Sequence, residues 1–248
     1  MKHLPALLLS AATAFGQLSD DFHPPRANCC LQGTAQGLAD QLKDWNQLGR
    51  YHADNEKLKA EGAVAGRVIF MGDSITDGWR LPQYFSGKPY VNRGISGQTT
   101  PQMLVRMFPD VINLKPAAII LLAGTNDIAG NTGPATLGQT ADNVQAITEL
   151  AQGHGIKVIL CSVLPVSDYT QRKQIERRPP ADILKMNEWL KIYAAKVNAV
   201  YADYFKATVD EKGFLRDGTS GDGLHPNPKG YELMAPVAEA AIQTALKK

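Results

Sequence analysis

Cysteine is scarce in this chain: Cys29, Cys30 and Cys161 are the only three in 248 residues. Their spacing matches neither an even disulfide framework nor a set of metal ligands. Cys161 ends the apolar run Val158-Ile159-Leu160-Cys161 and reads as a small core residue, while Cys29 and Cys30 can pair with each other, with Cys161 or with nothing. Charge of one sign is also lacking, since 26 Lys and Arg against 24 Asp and Glu leave a formal +2. With no basic cluster interleaved with aromatics, nucleic acid is not an expected partner. The apolar stretch at 4–15 is far short of the roughly 20 residues that span a bilayer, which argues against stable membrane insertion. A polar segment at 17–28 separates that stretch from Cys29 and Cys30, which weakens a lipid-anchor reading. No internal repeat or low-complexity tract is present, so solenoids and arrays are excluded.

What remains is ordinary globular composition, 44% hydrophobic and 20% charged, enough to bury one large core. Lys2, the apolar stretch and the small residues of Ala14-Phe15-Gly16 have the order of a signal peptide cleaved before Gln17. A buried N-terminal helix is the alternative. The expected organisation is a signal peptide at 1–16, an extension at 17–35 and a single domain at 36–248, with the mature protein secreted or periplasmic.

Past the leader, Leu38, Leu42, Trp45, Leu48 and His52 recur at helical spacing and predict one amphipathic helix covering a sheet face. Short apolar runs at 67–71, 90–93, 117–123, 157–164 and 200–205 predict strands separated by helical segments. That alternation is the pattern of a parallel α/β sheet. Thr100 and Pro101 suit the start of a helix facing inward through Leu104, Met107, Phe108 and Val111, with Pro109 ending or kinking it. A second helix at 137–152 stops at Gly153-His154-Gly155, where His154 reads as a helix-terminal residue. A third spans 182–197, and a last follows Asn227-Pro228 with Pro236 disturbing its middle.

In parallel sheets, functional groups collect in the turns at the carboxyl ends of the strands. Four segments fall there: Gly72-Asp73-Ser74, Gly94 to Thr100, Gly124-Thr125-Asn126-Asp127, and Asp222-Gly223-Leu224-His225. A serine hydroxyl needs a base, and His225, held extended by the following Pro226, is the best candidate. Asp222 can orient its ring from three residues away. A plain turn at Asp222-Gly223 and a loop histidine before a capped helix stay open as alternatives. For Gly97 and Asn126 the alternatives are a turn glycine, and a turn residue beside a capping Asp127. Asp73 and Asp77 read as acceptors for backbone amides at the helix start rather than proton carriers. Asp73, Asp77, Asp127, Asp222 and His225 show no recognised metal-ligand motif, so neither metal nor cofactor is expected.

Thr76 breaks the Gly-x-Ser-x-Gly elbow and argues against the α/β-hydrolase fold. The four segments, with Asn92-Arg93-Gly94-Ile95-Ser96-Gly97 for the second and Pro226 closing the fourth, instead resemble, in order, the motif blocks of the GDSL, or SGNH, hydrolases. The resemblance runs from the first strand to the last helix. It implies a flavodoxin-like three-layer α/β/α sandwich with a mainly five-stranded parallel sheet. It also implies a triad of Ser74, His225 and Asp222, and an oxyanion hole made by the backbone N–H groups of Ser74 and Gly97 with the Asn126 amide. The implied activity is a serine esterase acting on short acyl esters of small molecules or carbohydrates, notably O-acetyl groups. A lysophospholipase- or thioesterase-like lipid esterase and a non-catalytic carbohydrate-binding protein are the alternatives. The segment 168–180, with Arg172, Lys173, Arg177 and Arg178, follows the fourth strand at the same edge, either lining the pocket or forming a solvated basic loop.

Overall fold

Five apolar runs pair in parallel in the computed structural model of the protein, which describes residues 31–248. The expected signal peptide, Cys29 and Cys30 lie outside the described residues. The strands are β1 (Val68–Gly72), β2 (Tyr90–Gly94), β3 (Ala118–Leu122), β4 (Lys157–Cys161) and β5 (Val200–Ala202), in the order β2-β1-β3-β4-β5. Every residue of β1 and β3 is buried, because both faces of a parallel sheet are covered. The expected strands are all present, with ends a few residues shorter at β4 and β5.

Side-chain alternation sorts the core into two layers. Ile69, Met71, Ile119, Leu121, Val158 and Leu160 face one way. On that side lie α5 (Thr100–Val105), α6 (Met107–Asp110), α8 (Leu137–Gly153) and α9 (Pro180–Lys196), whose buried residues include Met103, Met107, Val144, Ile147, Ile183 and Met186. Val68, Phe70, Ala118, Ile120 and Leu122 face the other way, onto α3 (Ser74–Asp77), α4 (Leu81–Tyr84), α10 (Tyr204–Thr208) and α11 (Pro228–Lys247). Trp79 anchors this second layer, stacked on Tyr231 with ring centroids 5.2 Å apart and edge-on to Phe70. The three-layer arrangement is the one expected.

The predicted first helix is instead two, α1 (Leu31–Lys43) and α2 (His52–Ala60), and the chain divides into two units between Lys43 and Asp44. The Asp44 carboxylate accepts from the N–H groups of Leu48 at 2.8 Å and Gly49 at 2.9 Å, while Gln47 takes a left-handed φ of 56°. Such local side-chain bonds compete with helix formation and stop the periodic pattern. Leu38, Leu42, Trp45 and Leu48 are all exposed, so they do not form the buried face expected of them. In α2 the buried anchor is polar: Asn55 donates to Asp110 at 2.5 Å and accepts from Arg93 at 2.9 Å.

Three smaller departures concern helix ends. Thr99, not Thr100, caps α5, through a reciprocal capping box with Gln102. The helix breaks at Arg106, leaving Phe108 exposed while Met107 and Val111 are buried. Pro236 leaves α11 continuous: the carbonyl it fails to serve belongs to Glu232, and both residues lie on the exposed face. As expected, His154 is the C-cap residue of α8.

Ile119, fully buried in the central strand, tests the packing. Ile119→Ala should lower stability by about 2–5 kcal/mol, read as a drop in urea midpoint at constant slope.

Candidate active site

β1 delivers its chain into the site through Asp73, whose Oδ1 accepts from the Ile75 N–H at 2.9 Å and starts the one-turn helix α3. Ser74 is thereby the first helical residue at the carboxyl edge of the sheet. Across the edge, Gly124 (φ 114°) opens α7 (Thr125–Ile128), which carries Asn126. β1 and β3 are the neighbours between which the strand order reverses, so Ser74 and Asn126 flank the crevice of the topological switch point.

His225 arrives from the other end of the chain. Its Nε2 lies 2.9 Å from Ser74 Oγ, and its Nδ1 lies 2.7 Å from Asp222 Oδ2. Asp222 Oδ1 meanwhile accepts from the N–H groups of His225 at 2.9 Å and Leu224 at 3.1 Å. Burial pushes this carboxyl upward, but those bonds and the imidazole outweigh it and bring its pKa to about 2. An ionised carboxylate only accepts, so Nδ1 carries a proton, and in that tautomer of the imidazole Nε2 is the acceptor for the Ser74 hydroxyl. Gly223 secures the loop: it has φ 78°, and a Cβ there would sit 2.2 Å from the Ser167 carbonyl oxygen. Its own carbonyl accepts from the Ser167 N–H at 2.9 Å.

The loop after β2 supplies Gly97, at φ 82° with open space around a notional Cβ, so the need for glycine is conformational rather than steric. Neither the Ser74 nor the Gly97 N–H has an acceptor among the described residues. Asp77 bonds this loop rather than its own helix start, accepting from Ser96 N at 3.2 Å and Ser96 Oγ at 2.7 Å. Asp127 likewise serves another helix, accepting from Thr100 N at 3.0 Å and Thr100 Oγ1 at 2.5 Å at the start of α5. Buried Arg106, ion-paired with Asp110, holds Gln98 Oε1 at 2.8 Å and the Arg93 carbonyl at 3.1 Å. Of the residues weighed as metal ligands, Asp73, Asp77 and Asp127 are thus engaged on separate partners and Asp222 with His225. No group of three His, Cys, Asp or Glu side chains among the described residues is arranged to hold an ion.

Asn126 is oriented from both ends. Its Nδ2 donates to the Gln98 carbonyl at 3.0 Å, while its Oδ1 accepts from Asn131 Nδ2 at 2.9 Å and Arg178 Nη2 at 3.2 Å. One amide hydrogen remains for a ligand. The structure therefore gathers Ser74, Gly97, Asn126, Asp222 and His225 around one cavity of about 630 Å³. It also lines that cavity with Arg172, Lys173, Gln174, Arg177 and Arg178, answering which way the basic segment faces. Asn131, Gln174 and the buried Arg178 carry no motif in the sequence; adjacent arginines in a polar loop read as solvated. Cys161 is a buried free thiol, as expected of a core residue.

The model of the GDSL-like Lipase/Acylhydrolase family matches residues 70–233. A GDSL-like lipase of Bacteroides thetaiotaomicron superposes with a TM-score of 0.73 at 38% identity, over 81% of this chain and 98% of that one. Esterase TesA of Pseudomonas aeruginosa is 26% identical over 68% of this chain and 84% of its own length. The uncharacterized lipoprotein YqeF of Bacillus subtilis is 31% identical over 43% of this chain, and the match spans about half, 51%, of that protein.

Asp73 offers a stability test, because its Oδ2 is buried without a partner. Burial, opposed by the Ile75 N–H bond, raises its pKa to about 6. A carboxyl with a higher pKa folded than unfolded binds its proton more tightly in the folded state. Its penalty is absent below the unfolded value, near pH 4, grows as pH rises, and is complete above pH 6. Asp73→Asn should gain stability relative to wild type across that window, by on the order of 3 kcal/mol, in urea titrations from pH 4 to 7. A pH-independent difference would contradict the assignment.

Proposed function

Because the chain belongs to the GDSL-like lipase/acylhydrolase family, we propose that it hydrolyses short-chain acyl esters of polar alcohols, O-acetyl groups on carbohydrates foremost, through an acyl-enzyme on Ser74. Ser74 Oγ attacks the acyl carbon while His225 Nε2 takes its proton, across the 2.9 Å already present. The resulting imidazolium faces the Asp222 carboxylate, which stays charged down to about pH 2. The carbonyl π electrons move onto oxygen, where the free N–H groups of Ser74 and Gly97 and the remaining Asn126 amide hydrogen can receive them. Collapse breaks the bond to the alcohol oxygen, and His225 returns the proton to that leaving group. Water then attacks the acyl-enzyme with His225 again as base, releasing the acid and restoring the serine.

The character of the cavity carries the substrate reading: among the described residues around it, Leu224 supplies the one apolar side chain. A long acyl chain gains its binding energy from apolar walls, about 25 cal/mol per Å² buried, and Leu224 alone offers it little of that in this cavity. A second cleft of about 450 Å³ also borders Ser74 and His225 and reaches Pro226 and Tyr231, which offers the acyl group a separate place. Export to the periplasm or beyond fits the leader-like N-terminus and the likeness to a lipoprotein. No described helix is long and apolar enough to cross a membrane.

On 4-nitrophenyl acetate, Ser74→Ala should lose several orders of magnitude in kcat/KM, and Asn126→Ala about a hundredfold to a thousandfold in kcat. Acetate should be released from acetylated polysaccharides, with rates falling steeply from acetyl to octanoyl esters. Equal rates for wild type and Ser74→Ala would eliminate the mechanism, and a preference for octanoyl esters would transfer the assignment to the lipid esterases.

A further inference from the structure

Arg172 and Arg177 line the cavity that also holds Ser74. Arg172 Nη1 is 3.8 Å from Asp222 Oδ2, at the triad end, and its side chain is 78% exposed. Arg177 Nη2 donates to Asn131 Oδ1 at 3.2 Å and to the Ala129 carbonyl at 3.3 Å, beside the residue that orients Asn126. Lys173, between them in sequence, donates to the Asp168 carbonyl at 2.8 Å and lines the same cavity. Asp222, already bonded to His225, is the one carboxylate in that lining, against four cations. The lining of the cavity is thus net positive, which favours anions.

Resting on the esterase reading, we propose that the alcohol portion of the ester is an acidic carbohydrate whose carboxylate is received by Arg177 and Arg172. The Nε and Nη1 hydrogens of Arg177 have no acceptor among the described residues and each can donate one charge-assisted bond, while the Arg172 guanidinium donates no hydrogen bond there and has Asp222 at 3.8 Å as its ionic neighbour. A polar sugar ring suits the rest of the cavity, where Leu224 is the one apolar residue among the described lining.

Acetate release from acetylated oligogalacturonides and from acetylated xylo-oligosaccharides, matched in length and acetyl content, measures the preference. The acidic substrate should be favoured about ten- to a hundredfold in kcat/KM at low salt, the range of one or two charged hydrogen bonds. That ratio should fall toward one in 0.5 M NaCl and in the double variant Arg172→Gln/Arg177→Gln. A ratio near one in wild type, or one that the double variant leaves unchanged, overturns the proposal. So does faster turnover of an anionic lysophospholipid than of either sugar. If neither sugar is cleaved while 4-nitrophenyl acetate is, the acidic-substrate inference alone fails; if no ester is cleaved in a Ser74-dependent way, the esterase reading fails with it.

Arg178 points to a separate role. It is 4% exposed, and its bonds end on neutral oxygens: Nε on Thr125 Oγ1 at 3.1 Å, Nη1 on Gln174 Oε1 at 3.0 Å and Nη2 on Asn126 Oδ1 at 3.2 Å. No carboxylate lies within ion-pair distance of it among the described residues, although a buried charge ordinarily needs a counter-charge. Gln174 Nε2 in turn donates to the Asp222 carbonyl at 3.0 Å, so one chain of hydrogen bonds joins the Asn126 amide to the loop bearing His225. We infer that Arg178 is a positioning residue for Asn126, fixing the amide's rotation and drawing electron density onto its oxygen so that its N–H is a stronger donor to the nascent oxyanion.

Arg178→Met should lower kcat on 4-nitrophenyl acetate about ten- to a hundredfold with KM changed less than threefold, since the amide contact strengthens as charge develops. In the Asn126→Ala background the same substitution should cost less than threefold. Arg178→Lys, measured in the same cycle, should recover part of kcat and supplies the test if Arg178→Met fails to fold. Losses that multiply independently in the double mutants would show Arg178 to be merely structural.

Discussion

Burial of both faces of a parallel sheet is the constraint from which the rest of this molecule follows. With every side chain of β1 and β3 excluded from water, polar residues have no place along those strands. They are displaced to the turns at the carboxyl edge, where the reversal of strand order opens a crevice. Ser74 and Asn126 occupy the two banks of that crevice because β1 and β3 are adjacent. Gly97 follows the edge strand β2, and Asp222 and His225 close the site from the last loop.

Precision in such a crevice has to come from behind it. Here two buried arginines stand behind the two donor loops: Arg106 holds the segment carrying Gly97 through Gln98, and Arg178 holds the Asn126 amide. Cross-loop bonds from Asp77 to Ser96 and from Asp127 to Thr100 complete the frame. On the opposite layer, Tyr231 of α11 donates to the Ile75 carbonyl at 2.8 Å, coupling the helix after His225 to the helix that begins with Ser74. The proposed chemistry thus rests on polar groups whose geometry is locked by other polar groups, above an apolar sheet.

Legibility differed by kind of residue. The strands were readable because continuous apolar runs have few other uses at that length, and the family-like segments were readable because each combines a special backbone need with a reactive side chain. The helix drawn through Leu38, Leu42, Trp45 and Leu48 failed because periodicity does not reveal the Asp44 side chain, whose bonds to Leu48 and Gly49 end the pattern. Pro236 lies inside α11 without ending it, because the carbonyl it orphans belongs to a residue on the exposed face. Asp77 and Asp127, each beside a short helix, serve neighbouring loops that sequence distance conceals.

Local chemistry in the sequence determined the α/β alternation and offered Ser74, Asp222 and His225 as reacting groups, while the roles expected of Gly97 and Asn126 came from the family resemblance of the four ordered segments. It did so because apolar run length, glycine demand and side-chain reactivity are properties of the residues themselves. Tertiary structure alone decided which of two adjacent arginines is buried, that Asn131, Gln174 and Arg178 orient the site, and that the basic segment faces the cavity. Those facts depend on which distant groups, such as Arg178 and Asn126 or Gln174 and Asp222, 52 and 48 residues apart, are brought within hydrogen-bond reach, and no spacing along the chain encodes that.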